Sequence, residues 1–171
     1  MTRDRDLAGR PRNARPRDAL GRPLDRGRAA EGERRVPDDL ALAGSDAAAL
    51  ADQLLRAGRP FHAHEVLEAS WKLGPARERD LWQGLAQIAV GLTHAHRGNA
   101  RGAAALLRRG TQRVRAYQVQ AASPPDRDHP YGIEIAAFLA ASDDLAARIE
   151  RHGLAGIPAA DLRPGLITAP G

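Results

Sequence analysis

The residues best suited to do chemistry lie together in the stretch FHAHEVLEASWK, residues 61–72. At 100° per residue on a helix, Phe61, His64, Glu65, Glu68, Trp71 and Lys72 fall within one arc of about 120°. A solvated helix normally separates its apolar and ionisable groups onto opposite faces. Here two carboxylates and an imidazole share a face with two aromatic rings, which predicts partial burial and a partner for each polar group. His64 and Glu68 have the i, i+4 spacing that brings side chains into reach, and Glu65 is adjacent. His62 lies about 160° from His64 around the helix, so the HAH triplet cannot chelate one ion while helical.

A second polar stripe follows in LWQGLAQIAVGLTHAH, residues 81–96. Gln83, Gln87 and His94 share one arc, with Gly84 and Gly91 at its edge, while Leu81, Leu85, Ile88 and Leu92 form a separate apolar stripe. Small residues at heptad spacing let a neighbouring backbone come close. The expectation is a polar seam in which Gln83, Gln87 and His94 face His64, Glu65 and Glu68, with Trp71 at the same site.

Three chemistries fit such a seam. The first is a structural network, in which Glu65 and Glu68 accept hydrogen bonds and fix helix register. The second is a divalent-metal site built from His64, Glu68 and His94, since helical bundles hold metals with histidines and carboxylates from facing helices. HEVLE lacks the second histidine of an HExxH zinc motif. The third is a pocket for a small molecule or a peptide, with Trp71 and Trp82 as walls and the carboxylates as anchors. These readings make the chain first a binding or structural module. The alternative is a metal-dependent, hydrolase-like enzyme in which Glu65 or Glu68 serves as general base to a metal-bound water. No other cofactor is implied: the sequence has no glycine-rich phosphate loop, no GxSxG elbow and no nucleophile paired with a base. It also has no cysteine, which removes disulfides and thiolate chemistry.

These residues need helices to position them. Ser45 reads as the cap of a first helix that ends at Gly58, and Pro60 suits the start of a second, over Phe61 to Leu73. Gly74 and Pro75 stop it, and a third helix is expected over Ala76 to Arg97. Gly98 and Asn99 then read as a C-cap glycine followed by an N-cap asparagine, joining the third helix tightly to a fourth over Ala100 to Gln120. Ser123 to Pro130 reads as a proline-containing loop. Two short helices follow, Gly132 to Ala141 and, capped by Ser142, Asp143 to His152. The predicted fold is all-α, a compact antiparallel bundle of about five to six helices over residues 44–155. Residues 1–43, rich in Arg, Pro and Gly, are expected to form a disordered arm, and 156–171 a disordered tail.

Charge argues against a nucleic-acid partner. The net +5 divides into +3 on residues 1–43, where eleven arginines are interspersed with eight acids, and only +2 on the rest. A nucleic-acid site needs a concentrated cationic face. No apolar run approaches the roughly 18 residues of a membrane span, and the N-terminus lacks the apolar core of a secretory signal, so the expected location is the cytoplasm. The partner expected for a binding module is a small molecule or a protein.

FHAHEVLEASWK followed by LWQGLAQIAVGLTHAHRGNARGAAALL resembles the bacterial domain of unknown function 309, a family of small helical proteins whose hallmark is a helix of the type FEAHEVLE followed by Trp. The resemblance covers about Ala51 to Tyr117, with a looser likeness in YGIEI after Pro130. It implies a compact antiparallel helical bundle, with motif positions at His64, Glu65, Glu68, Trp71, Gln87, Gly98, Asn99 and Ala103. His62 stands where the family usually has an acid, so a third carboxylate is missing there. The resemblance implies a fold and no activity.

Overall fold

The computed structural model describes residues 17, 18, 20–24, 42–121 and 128–167. Five α-helices lie among the described residues: α1 (Gly44–Arg56), α2 (Pro60–Leu73), α3 (Arg79–His96), α4 (Ala100–Gln120) and α5 (Ile135–His152). Short 3-10 turns over Ala76–Glu78, Pro130–Gly132 and Ala159–Leu162 connect or follow them. Each helix packs chiefly on its neighbours in sequence, α1 on α2, α2 on α3, α3 on α4 and α4 on α5. The fold is an all-α helical bundle, and no helix among the described residues is long and apolar enough to cross a membrane.

The turns follow from local chemistry. Gly58 and Gly98 take left-handed backbone angles, φ +70° and +80°, at the ends of α1 and α3. Asn99 then caps α4 by accepting the Gly102 amide on its side-chain oxygen at 2.9 Å, which satisfies a donor that the first turn of a helix leaves unpaired. Ser45 does not cap α1. That helix begins one residue earlier, at Gly44, with no side-chain cap.

α3 is the centre of the core. Leu81, Trp82, Leu85, Ile88 and Leu92 are all buried. The glycines at its edge serve α4 rather than α2. A Cβ on Gly84 would lie 2.6 Å from Val114 Cγ2 and 2.9 Å from the Gly110 carbonyl oxygen, and one on Gly110 would meet the Gly84 carbonyl at 2.7 Å. The two backbones therefore touch where neither carries a side chain, the close approach that small residues permit. The arginines of α4 reach both neighbours: Arg113 bonds Asp80 of α3 at 2.9 Å, Arg108 bonds Glu150 of α5 at 2.9 Å, and Arg115 bonds Asp143 of α5.

Three expectations need correction. The two short helices after Pro130 are one, α5. Ser142 sits inside it, buried, and donates to the Phe138 carbonyl at 2.8 Å, so its hydroxyl is satisfied within the helix instead of starting a new one. Residues 156–167, expected within the disordered tail, fold back on the bundle. Leu166 is fully buried, and Asp52 of α1 accepts the amides of Leu166 and Ile167 at 2.6 and 3.0 Å. Part of the arm is also placed. Asp18 accepts the amides of Leu20 and Arg22, forming a tight turn with Gly21 at φ +71°. This turn lies against Phe61, with the Arg17 guanidinium 5.3 Å from the ring centre, and Arg97 donates to the Leu20 carbonyl. The rest of the expected arm, the end of the tail and most of the expected Ser123–Pro130 loop lie outside the described residues.

Candidate functional site

On α2 the buried face is Pro60, His62, Ala63, Val66 and Leu67, and the row of interest lies beside it. Phe61, His64, Glu65, Glu68 and Trp71 are half-buried, and Lys72 is exposed. Glu68 is the hub. Its carboxylate lies 3.4 Å from His64 Nε2, one turn back, and 2.7 Å from Lys72 Nζ, one turn ahead. Lys72 also sits 5.8 Å from the centre of the Trp71 ring, and the Phe61 and His64 rings are 6.1 Å apart. Burial lowers the His64 pKa below its ordinary value; Glu68 opposes this and Lys72 adds to it. The imidazole is therefore neutral near pH 7, and the carboxylate beside Nε2 favours the tautomer with its proton there, leaving Nδ1 as an acceptor.

The second stripe is engaged largely elsewhere. Gln83 accepts from Arg113 of α4, which also binds Asp80. His94 Nδ1 is 2.8 Å from the Asn99 side-chain nitrogen at the start of α4, and Gly102 of α4 leaves it room: a Cβ there would lie 2.4 Å from Nδ1. Gln83 and His94 thus tie α3 to α4, which corrects the expectation that they face the α2 row. Gln87 differs. Its Oε1 is buried with no hydrogen-bond partner among the described residues, and the same holds for His64 Nδ1.

The metal set is not assembled. Among the described residues no three His, Asp or Glu side chains come close enough together to hold a metal ion, so His64, Glu68 and His94 do not form a ligand cluster. Trp82 is not a wall beside Trp71 exposed to a ligand. It is fully buried, and its indole N–H donates to Glu78 at 3.2 Å.

Glu78 is the residue that sequence reasoning passed over. It ends the turn between α2 and α3 and is buried. Besides Trp82, its Oε2 accepts the Tyr131 hydroxyl at 2.7 Å, and the Trp82 and Tyr131 rings lie 5.3 Å apart. Tyr131 is held at φ +58°, ψ +24°, a left-handed conformation that costs a non-glycine residue about 1 kcal/mol or more. Burial, then the hydrogen bond and charge of Glu78, push its phenol up to about 12, so it stays protonated and donates. The available signal was spacing alone, a glutamate one helical turn before a tryptophan.

No curated protein and no solved structure matches the chain. Residues 49–106, from α1 through the start of α4, match the model of the family described as Domain of unknown function (DUF309), and over that third of the chain the protein resembles this family.

Proposed function

We propose that the chain is a binding module and that the half-buried row of α2, with Gln87 of α3, is its ligand face. The observation that carries this reading is the pair of buried acceptors, His64 Nδ1 and Gln87 Oε1, on two helices that pack together, neither hydrogen-bonded among the described residues. Buried polar atoms nearly always have partners, and an unmet one costs about 1–3 kcal/mol. A ligand donor, such as an amide or amino N–H, would complete either of them. Trp71 supplies apolar surface on the same row, while Glu68 and Lys72 supply both signs of charge. The ligand class is a small molecule or a segment of a partner protein bearing hydrogen-bond donors. The metal-dependent alternative needs a ligand cluster that the described residues do not provide.

The test uses the untagged protein. Small molecules that co-purify are detected by native mass spectrometry, and a library of amides, amines and short peptides is screened by melting temperature. Binding by the parent, lost in both Gln87→Leu and His64→Phe, is the expected result. Gln87→Leu replaces an unmet acceptor with an apolar group of similar size and should itself raise stability by about 1 kcal/mol. A Gln87→Leu protein that is more stable and still binds everything the parent binds would reduce the row to a structural feature.

A further inference from the structure

Glu78 is the only buried carboxylate among the described residues, with 6% of its surface exposed. Its two oxygens are in different situations. Oε2 accepts from Trp82 and Tyr131, both neutral donors. Oε1 faces the Arg77 guanidinium at 3.4 Å, and that side chain is 80% exposed. Neutral donors satisfy the lone pairs of a carboxylate without cancelling its charge, and an ion pair to a solvated arginine is weak. The charge is thus compensated from one side by a group that water readily removes.

Arg77 and Glu78 both line a hollow of about 550 Å³, together with Tyr117, Gln120, Pro130 and Tyr131. The volume is within the range of small-molecule sites. Its two tyrosines come from different parts of the fold. Tyr117 is near the end of α4, and Tyr131 is held in its strained backbone conformation between the Trp82 ring and Gly44 of α1, where an added Cβ would meet the Tyr131 ring at 2.4 Å. Strained residues persist where the surrounding structure over-determines them, and such positions concentrate at ligand sites. A carboxylate with tyrosine side chains in the same hollow suits an organic cation: the carboxylate takes charge-assisted hydrogen bonds from the positive head, and the tyrosines give apolar surface to its body.

We propose that this hollow binds a small organic cation, an alkylammonium or guanidinium with an apolar body, whose charged head displaces Arg77 from Glu78 Oε1. Arg77 occupies the position of that head while the hollow is open to water, and Gln120 offers an amide to a polar group on the ligand body. The site is separate from the α2 row, and it stands whether or not that row binds anything.

The experiment titrates the full chain with phenethylamine and phenethylguanidine, and with two analogues of the same chain length that lack the positive charge, 2-phenylethanol and 3-phenylpropionate. Binding is read by saturation-transfer NMR of the ligand. The cations should bind and the two analogues should not. Arg77→Ala, a change at an exposed side chain, removes the competing cation and should tighten cation binding roughly three- to tenfold. Glu78→Gln, which keeps the size of the side chain, should weaken it about tenfold or more. The arginine variant keeps the test decisive if Glu78→Gln folds poorly. The proposal is overturned if no cation binds, if the neutral or anionic analogue binds equally well, or if Arg77→Ala leaves cation affinity unchanged or lowers it.

Discussion

Glu68 and Glu78 each gather side chains around one carboxylate, and they do so under opposite conditions. The partners of Glu68, His64 and Lys72, are one turn away on the same helix, and its own side chain is 34% exposed. Those of Glu78 are Trp82, one turn ahead, and Tyr131, brought from 53 residues away, with the carboxylate inside the protein. Water can replace either partner of Glu68 at little cost. It cannot take the place of Trp82 or Tyr131 at Glu78, where only the exposed Arg77 is replaceable, so removing the carboxylate strands a buried indole N–H and a phenol. Similar diagrams of contacts therefore carry different energies, and burial decides which one matters to the fold.

The largest effect expected from this contrast is Glu78→Ala, which should lower stability by about 2–3 kcal/mol in urea denaturation. A loss as small as that of a surface glutamate would erase the distinction. Tyr131→Phe keeps the ring against Trp82 and removes only the hydroxyl, so about 1 kcal/mol is expected. In the parent, alkaline titration followed by phenolate absorbance should show a tyrosine ionising at about 12, and Glu78→Gln should bring it down toward the ordinary value near 10. Glu68→Ala should cost about 0.5 kcal/mol or less, since exposed i, i+4 pairs contribute little.

The smallest effect is in pH dependence. Burial holds the His64 pKa below its unfolded value, and the same cause lowers that of His96, whose ring nitrogen lies 3.3 Å from the Leu162 carbonyl. For such groups the unfolded chain binds protons first, so stability is intact above the unfolded pKa near 6.5 and declines as pH falls below it. Melting temperature should therefore drop between about pH 7 and pH 5, and less steeply in His64→Gln. An unchanged slope would place His64 in water and weaken its role in the proposed ligand face.

Much of this was legible beforehand, for identifiable reasons. Gly98 and Asn99 were readable because a left-handed residue and a side-chain cap act on the adjacent helix ends. The half-burial of the α2 row followed from the mixture of rings and charges on one arc. Ser142 misled because serine is favoured at helix starts, yet inside a helix it bonds the carbonyl one turn back equally well. The α3 stripe was found, but the helix it faces was not. Gly84 and Gly91 announce a close approach without saying by whom, and both Gln83 and Gly84 turned out to meet α4.

Sequence alone thus determined the all-α fold, the turn and Asn99 cap between α3 and α4, and the mixed character of the Glu68 row, because each depends on residues within a turn or two of one another. Only the tertiary structure decided that Tyr131 reaches Glu78, that Asp52 holds the amides of Leu166 and Ile167, and that the arm turn meets Phe61. Those contacts join distant parts of the chain, and where their ends meet depends on the packing of every helix between them.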